Sequence, residues 1–224
     1  LARWPCWPAM QRFRDQSLTL ALLTIFALSL AAHMAAGFSV ETHEGAAHGL
    51  PASSFLGYLG SGAFLSSLFE NWESEFFQMF IFVVATAFLY QKGSAESKDP
   101  RKKHEHKCVE ARADSPWPVR RGGWVLRIYA HSLSGALFLF FALAFIWHAL
   151  AGHRLYNEER VYDGESVVSL SRYLGSARFW FESLQNWQSE FLSIGAMVLL
   201  SIWLREVNSP ESKSVETPHE ENEE

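Results

Sequence analysis

The chain has 224 residues, 49% of them apolar and 15% aromatic, with 24 acidic against 19 basic side chains for a formal charge of −5. That length holds one or two compact domains. The basic residues gather in one short linker, which excludes an extended nucleic-acid surface, and two cysteines without metal-type spacing exclude a disulfide scaffold or zinc ribbon.

The average hydropathy conceals a sharp division, since Ser17 to Val40 and Ser132 to Gly152 contain no Asp, Glu, Lys or Arg. Each approaches the ~20 residues that a helix needs to cross a bilayer. In chain order, residues 1–16 form a basic cytoplasmic segment with Arg3, Arg12 and Arg14, followed by a first span at about 17–37. This segment is longer than a typical ~7–15-residue signal core and is copied later in the chain, so it reads as a span rather than a cleaved leader. The stretch Phe38 to Glu75 has no Lys or Arg and carries Glu41, Glu44, Glu70, Glu73 and Glu75, which places it outside the cell. Tyr58-Leu-Gly-Ser61 is expected to cap a short outer helix leading into a second span at about 71–90. Phe64, Leu68 and Trp72, at i+4 spacing, continue that helix backward.

The linker at 99–123 is rich in Lys and Arg and is expected in the cytoplasm, setting topology. A third span follows at about 128–151, then a second outer loop from His153 to Glu190 with its own Tyr173-Leu-Gly-Ser176, and a fourth span at about 186–205. The acidic tail at 214–224 lacks aromatics and reads as disordered. The expected fold is therefore an all-α, four-helix transmembrane bundle with both termini cytoplasmic. A soluble bundle of four unusually apolar helices is the competing reading.

The two halves repeat. His33 is matched by His148, Gly37 by Gly152, Tyr58 by Tyr173, Asn71-Trp72 by Asn186-Trp187, Ser74-Glu75-Phe76 by Ser189-Glu190-Phe191 and Glu96-Ser-Lys98 by Glu211-Ser-Lys213, always 115 residues apart. No gap is needed from Ser17 to Lys98, and roughly a third of the aligned positions are identical. Repeat one is 17–98 and repeat two 124–213. Each holds two spans, so the copies insert the same way up, related by a pseudo-two-fold along the membrane normal.

Polar residues kept in both copies are the candidate site: His33, Asn71, Glu75, His148, Asn186 and Glu190. Asn and Glu stand at i and i+4 on one helix face, and ionisable groups in a membrane turn to the bundle interior or a wet cavity. Three readings stay open: a structural tie worth ~0.6–2 kcal/mol per hydrogen bond, a proton or ion relay using Glu and His, and a metal or haem site on His33, His148, Glu75 and Glu190. No Glu-x-x-His signature supports the last, and no cofactor is expected. Trp72, Trp187, Tyr58 and Tyr173 are expected as interfacial anchors. His43, His48 and His153 read as solvated outer-loop side chains and His131 as an inner-interface residue.

Phe181-Glu-Ser-Leu-Gln-Asn-Trp-Gln-Ser-Glu-Phe191, with Tyr156-Asn-Glu-Glu159 before it and Ser209-Pro-Glu-Ser-Lys213 after it, resembles a bacterial family of small integral membrane proteins known only as a domain of unknown function. The resemblance runs from about Met10 to Lys213. The first copy departs from it, with Glu70 where the second has Gln185 and Glu73 where the second has Gln188. It implies a multi-pass protein of the bacterial inner membrane and no particular chemistry. The expected partner is the lipid bilayer, with no nucleic acid; a homo-oligomer or larger membrane complex is left open. A non-enzymatic structural or accessory role is the leading expectation.

Overall fold

The structure is a computed structural model that describes residues 15–47, 54–98 and 111–222. Cys6, His48, Cys108 and most of the basic linker lie outside the described residues. Every regular element among those described is helical: α1 (Ser17–Ala47), α2 (Phe55–Leu59), α3 (Gly62–Phe88), α4 (Trp117–Arg121), α5 (Gly123–Ala130), α6 (Ser132–Tyr162), α7 (Leu170–Leu174) and α8 (Ala177–Leu200). The chain divides into two compact units, residues 1–64 and 65–224.

Two helices, α1 and α6, are long and apolar enough to cross a membrane by length and composition. α1 continues about two turns and α6 about three turns past the uncharged run, into sequence that carries charged side chains. α3 and α8 are long as well, at 27 and 24 residues, but their first halves carry the polar motif. At 1.5 Å per residue they reach about 36–40 Å.

Helix boundaries echo the repeat. α1 and α6 both have 31 residues, α2 and α7 both have 5, and each pair starts 115 residues apart. The local causes are the same in both copies. Ser54 and Ser169 cap α2 and α7 through Gly57 N–H and Arg172 N–H, at 3.1 and 3.3 Å. Ser61 and Ser176 then cap α3 and α8 through Phe64 N–H and Phe179 N–H, at 3.2 and 3.4 Å. Gly60 and Gly175 close the short helices at φ −98° and −86°, angles open to any residue, so the turn itself does not demand glycine.

Glycine is required one helix away. In the unit formed by residues 1–64, a Cβ on Gly37 would stand 1.9 Å from the Tyr58 hydroxyl; in the second unit, a Cβ on Gly152 would stand 2.3 Å from that of Tyr173. Each tyrosine thus lies flat on a glycine of the long helix, with Phe64 or Phe179 packed beside it at ring-centroid distances of 5.3 and 5.4 Å. His33 meets Phe64 at 5.5 Å and His148 meets Phe179 at 5.2 Å. The same Gly–Tyr–Phe–His wedge is built twice. Tyr58 and Tyr173 are buried, and their rings fill the angle between helices.

Within the second unit an aromatic seam joins α3 to α6 through Phe69–Trp147, Phe76–Phe140, Phe77–Phe141 and Phe80–Phe138, with centroids 4.9 to 5.7 Å apart. Outward positions of α6 and α8 leave Leu133, Leu139 and Leu192 more than half exposed.

The tail also differs from expectation. Far from lacking order, residues 207–222 fold against the exit of α3. Asn222 accepts from Gly93 N–H at 2.8 Å and donates to the carbonyls of Gln91, Ser94 and Ser97 at 3.0, 2.8 and 2.7 Å. Lys213, buried, donates to the carbonyls of Pro218, His219 and Glu221 at 3.1, 3.1 and 2.9 Å. Composition under-reads such a segment because its cohesion is polar and specific rather than hydrophobic. Gly93 and Asn208, again 115 residues apart, both take positive φ, 85° and 67°, so the two helices leave by the same turn. Gly93 has no alternative: a Cβ there would lie 2.2 Å from the His219 carbonyl.

Candidate functional site

The polar centre of the second unit forms where α3, α6 and α8 meet. His148 lies in the middle of α6 and Glu73 in the middle of α3, and both are fully buried. His148 Nδ1 and Glu73 Oε2 are 2.5 Å apart. The other Glu73 oxygen accepts the indole N–H of Trp187 at 3.1 Å. On the far side of the imidazole, Nε2 faces Glu182 Oε2 at 3.7 Å, too long for a direct hydrogen bond. Phe179 stacks on the ring at 29° between planes.

Glu182 carries the network outward. It accepts the Tyr173 hydroxyl at 3.1 Å and pairs with Arg178 one turn earlier on α8; Arg178 also reaches Glu159 at 3.6 Å. Burial, and then the Glu182 carboxylate, raise the Tyr173 pKa, so the phenol stays a donor. A second polar contact sits alongside, where Asn186 and Gln185 donate to Glu70 Oε1 at 2.6 and 3.4 Å. Glu70 and Gln185 stand 115 residues apart in the sequence, at matching positions of the offset that relates the two helix sets.

Beside Glu73 aromatic rings gather. Phe77 stands 4.5 Å from Trp187, 4.9 Å from Phe141 and 5.7 Å from Phe191, ring to ring. The centre is therefore a buried polar contact beside aromatic rings, from which Glu182 and Arg178 lead toward the surface.

Of the six repeated polar residues, His148 and Asn186 enter this network. Asn71 is exposed and donates to Ser67 O on its own helix at 2.7 Å, and Glu75 is exposed. Glu190 is half-buried, close enough to Glu75 for the two charges to interact. His33, half-buried, belongs to the first unit. Within the second unit the histidine His148 meets the acids Glu73 and Glu182, while Glu75 and Glu190 lie near each other. Trp187 is a hydrogen-bond donor rather than a free anchor, while Trp72 packs edge-on against Phe69. His153 is part of α6, in hydrogen-bonding range of Val168 O at 2.8 Å.

The residues that sequence reasoning passed over share one signal: they are where the copies disagree. Glu73 faces a Gln in the second copy, Glu70 likewise, Glu182 answers to Ser67 and Arg178 to Ala63. The shared residues make the scaffold common to both copies. Asn71 and Asn186 each donate back to residue i−4, and Ser74 and Ser189 each donate to residue i−3, at 2.9 and 2.8 Å. The divergent residues make the charged centre.

Among the described residues no group of three or more His, Cys, Asp or Glu is placed to hold a metal ion. His148 spends Nδ1 on Glu73 and turns Nε2 toward Glu182, so its imidazole is enclosed by carboxylates rather than open to an axial iron position.

No curated protein and no solved structure matches the chain. A family model matches residues 9–224, nearly the whole sequence, and the chain accordingly belongs to the family described as a domain of unknown function, DUF6766.

Proposed function

We propose that this is a four-span protein of the bacterial inner membrane, non-enzymatic, in which two tandem copies of a helical hairpin are tied by one buried ionic clasp. α1, α3, α6 and α8 would be the spans, with both termini and the basic linker in the cytoplasm. The reading draws on the 115-residue register shared by sequence and helix boundaries, and on the many large apolar side chains that α6 and α8 leave exposed, a pattern that suits lipid rather than water.

The observation that carries the structural role is the closure of the Glu73–His148 pair. Both partners are fully buried, three helices contribute to the contact, and aromatic rings lie beside it. A proton moving across the membrane needs polar groups or water on both sides of a buried carboxylate; beside Glu73 the rings of Phe77, Phe141 and Trp187 pack together instead. A buried ion pair of this kind is weak evidence for stability in itself, but it fixes one packing against alternatives, as register-setting polar groups do. Copy two cannot form the same clasp with the first copy's partners exchanged, because Gln188 stands opposite Glu73 in the repeat. The clasp is therefore single and directional, and it specifies which hairpin packs where.

A proton-relay reading keeps one observation in its favour: Tyr173, Arg178 and Glu182 form a polar chain that comes within 3.7 Å of His148, itself paired with Glu73. Reconstitution separates the two. Clasp chemistry predicts proton flux at background in liposomes and loss of thermal stability in Glu73→Gln; a relay predicts flux in the parent that vanishes in Glu73→Gln while the fold survives. Impermeant maleimide labelling of Cys6 and Cys108 in spheroplasts checks the topology: labelling before lysis overturns the cytoplasmic assignment.

A further inference from the structure

α4 and α5 contribute nothing to the clasp, yet their composition is distinctive. Trp117–His131 contains Arg120, Arg121 and Arg127 and not one Asp or Glu. Trp117, Trp124, Ile128 and Tyr129 are 59%, 71%, 63% and 44% exposed, and all three arginines are exposed. Among the described residues, none of the ion pairs uses these arginines. Gly122 and Gly123, both at positive φ (68° and 59°), let the two short helices fold against each other, a turn that side-chain-bearing residues rarely make. The Arg121 guanidinium lies 5.8 Å from the Trp117 ring centroid. α5 ends one residue before α6, whose first exposed apolar side chain is Leu133 at 63%.

We propose that the Trp117–Ala130 segment is an interfacial anchor that binds anionic phospholipid headgroups in the leaflet where α6 starts. Exposed tryptophan and isoleucine at i and i+4 are unfavourable in water but suit the boundary between headgroups and acyl chains. Arginine stems lie along the apolar boundary while their guanidinium groups reach phosphate. Charge complementarity selects acidic over zwitterionic lipid, and direct continuity with α6 sets the segment at the membrane surface rather than in solvent. The proposal rests on the membrane reading of α6.

The test uses the full chain in nanodiscs of phosphatidylcholine alone or with phosphatidylglycerol, comparing the parent with Arg120→Gln, Arg121→Gln and Arg127→Gln combined. Retained lipid is counted by native mass spectrometry. The parent is expected to enrich phosphatidylglycerol, and the triple variant to lose about fivefold in that preference per arginine removed. Trp124→Ala should weaken retention of both lipids without changing their ratio. Equal retention of both lipids by the parent, or an unaltered preference in the triple variant, overturns the anchor. Binding of a soluble polyglutamate probe by the parent, with no lipid preference, overturns it in favour of an acidic protein partner. Release of the parent from vesicles by alkaline carbonate would instead sink the membrane reading, so the two failures are told apart.

Discussion

Glu73→Gln is the sharpest probe of the clasp. Glu73 is fully buried and uses both oxygens, one toward His148 Nδ1 at 2.5 Å and one to accept Trp187 Nε1–H at 3.1 Å. Glutamine keeps the shape but offers one acceptor and a donor in place of two acceptors. Either the indole or the imidazole must then face an amide N–H, at a cost of about 1–3 kcal/mol for the unpaired donor. Loss of the countercharge raises the expected total to about 3–5 kcal/mol, and Glu182, at 3.7 Å from Nε2, holds it near the lower end. For a chain of this size about 3 kcal/mol lowers Tm by about 6–12 °C. Glu75→Gln, two residues along the same helix and exposed, should move Tm by about 2 °C or less, since surface changes stay within ~0.5 kcal/mol. The assay is thermal unfolding of both variants in the same detergent, followed by intrinsic fluorescence and size exclusion. Equal shifts in the two variants, or a Glu73→Gln shift of about 2 °C or less, would refute the clasp and leave only the ordinary ~0.6 kcal/mol of an intramembrane hydrogen bond.

Further outcomes follow from other contacts. Gly152→Ala drives a Cβ to 2.3 Å from the Tyr173 hydroxyl and should cost about 1–3 kcal/mol; Tyr173→Phe in the same chain should recover part of it, and no recovery would mean that the wedge is not the cause. Asn222→Ala removes the bonds that tie the tail to residues 91–97 and should speed amide exchange at Gly93 well before the helices open, as hydrogen-exchange mass spectrometry can detect. Glu96 lies in the exit loop with one carboxylate oxygen buried and unbonded; burial first, then the neighbouring Glu211 carboxyl, raises its pKa to about 7. A raised folded-state pKa favours the fold fully below the unfolded value near 4.5, and that advantage is lost as pH rises through about 7. Thermal stability should therefore fall between pH 5 and 8 in the parent and stay flatter in Glu96→Gln; identical profiles would count against the buried carboxyl.

Much of the helical framework was legible before any coordinates. Two uncharged runs mark α1 and α6, and the Tyr-Leu-Gly-Ser strings mark short helices closed by glycine and followed by a serine cap, because capping depends on residues only three apart. The 115-residue offset pairs Gly37 and Tyr58 with Gly152 and Tyr173, and in each unit the tyrosine hydroxyl lies against the glycine. The site was legible only in part. Repetition drew attention to Glu75 and Glu190, yet a residue kept in both copies need only serve the hairpin that each copy builds. Glu73, Glu182 and Arg178 are singular in the repeat, and a singular residue acquires meaning only when another helix faces it.

The sequence by itself determined helix positions, caps, turns and the register between copies, all governed by neighbours within a turn or two of chain. Tertiary structure alone decided that Glu73, rather than Glu75, turns inward to His148. A shift of two residues is about 200° around a helix, and periodicity cannot say which side of a largely apolar helix a partner will approach. Tertiary structure decided the order of the tail as well, since the fit of Asn222 among the carbonyls of 91–97 depends on segments about 130 residues apart meeting in space.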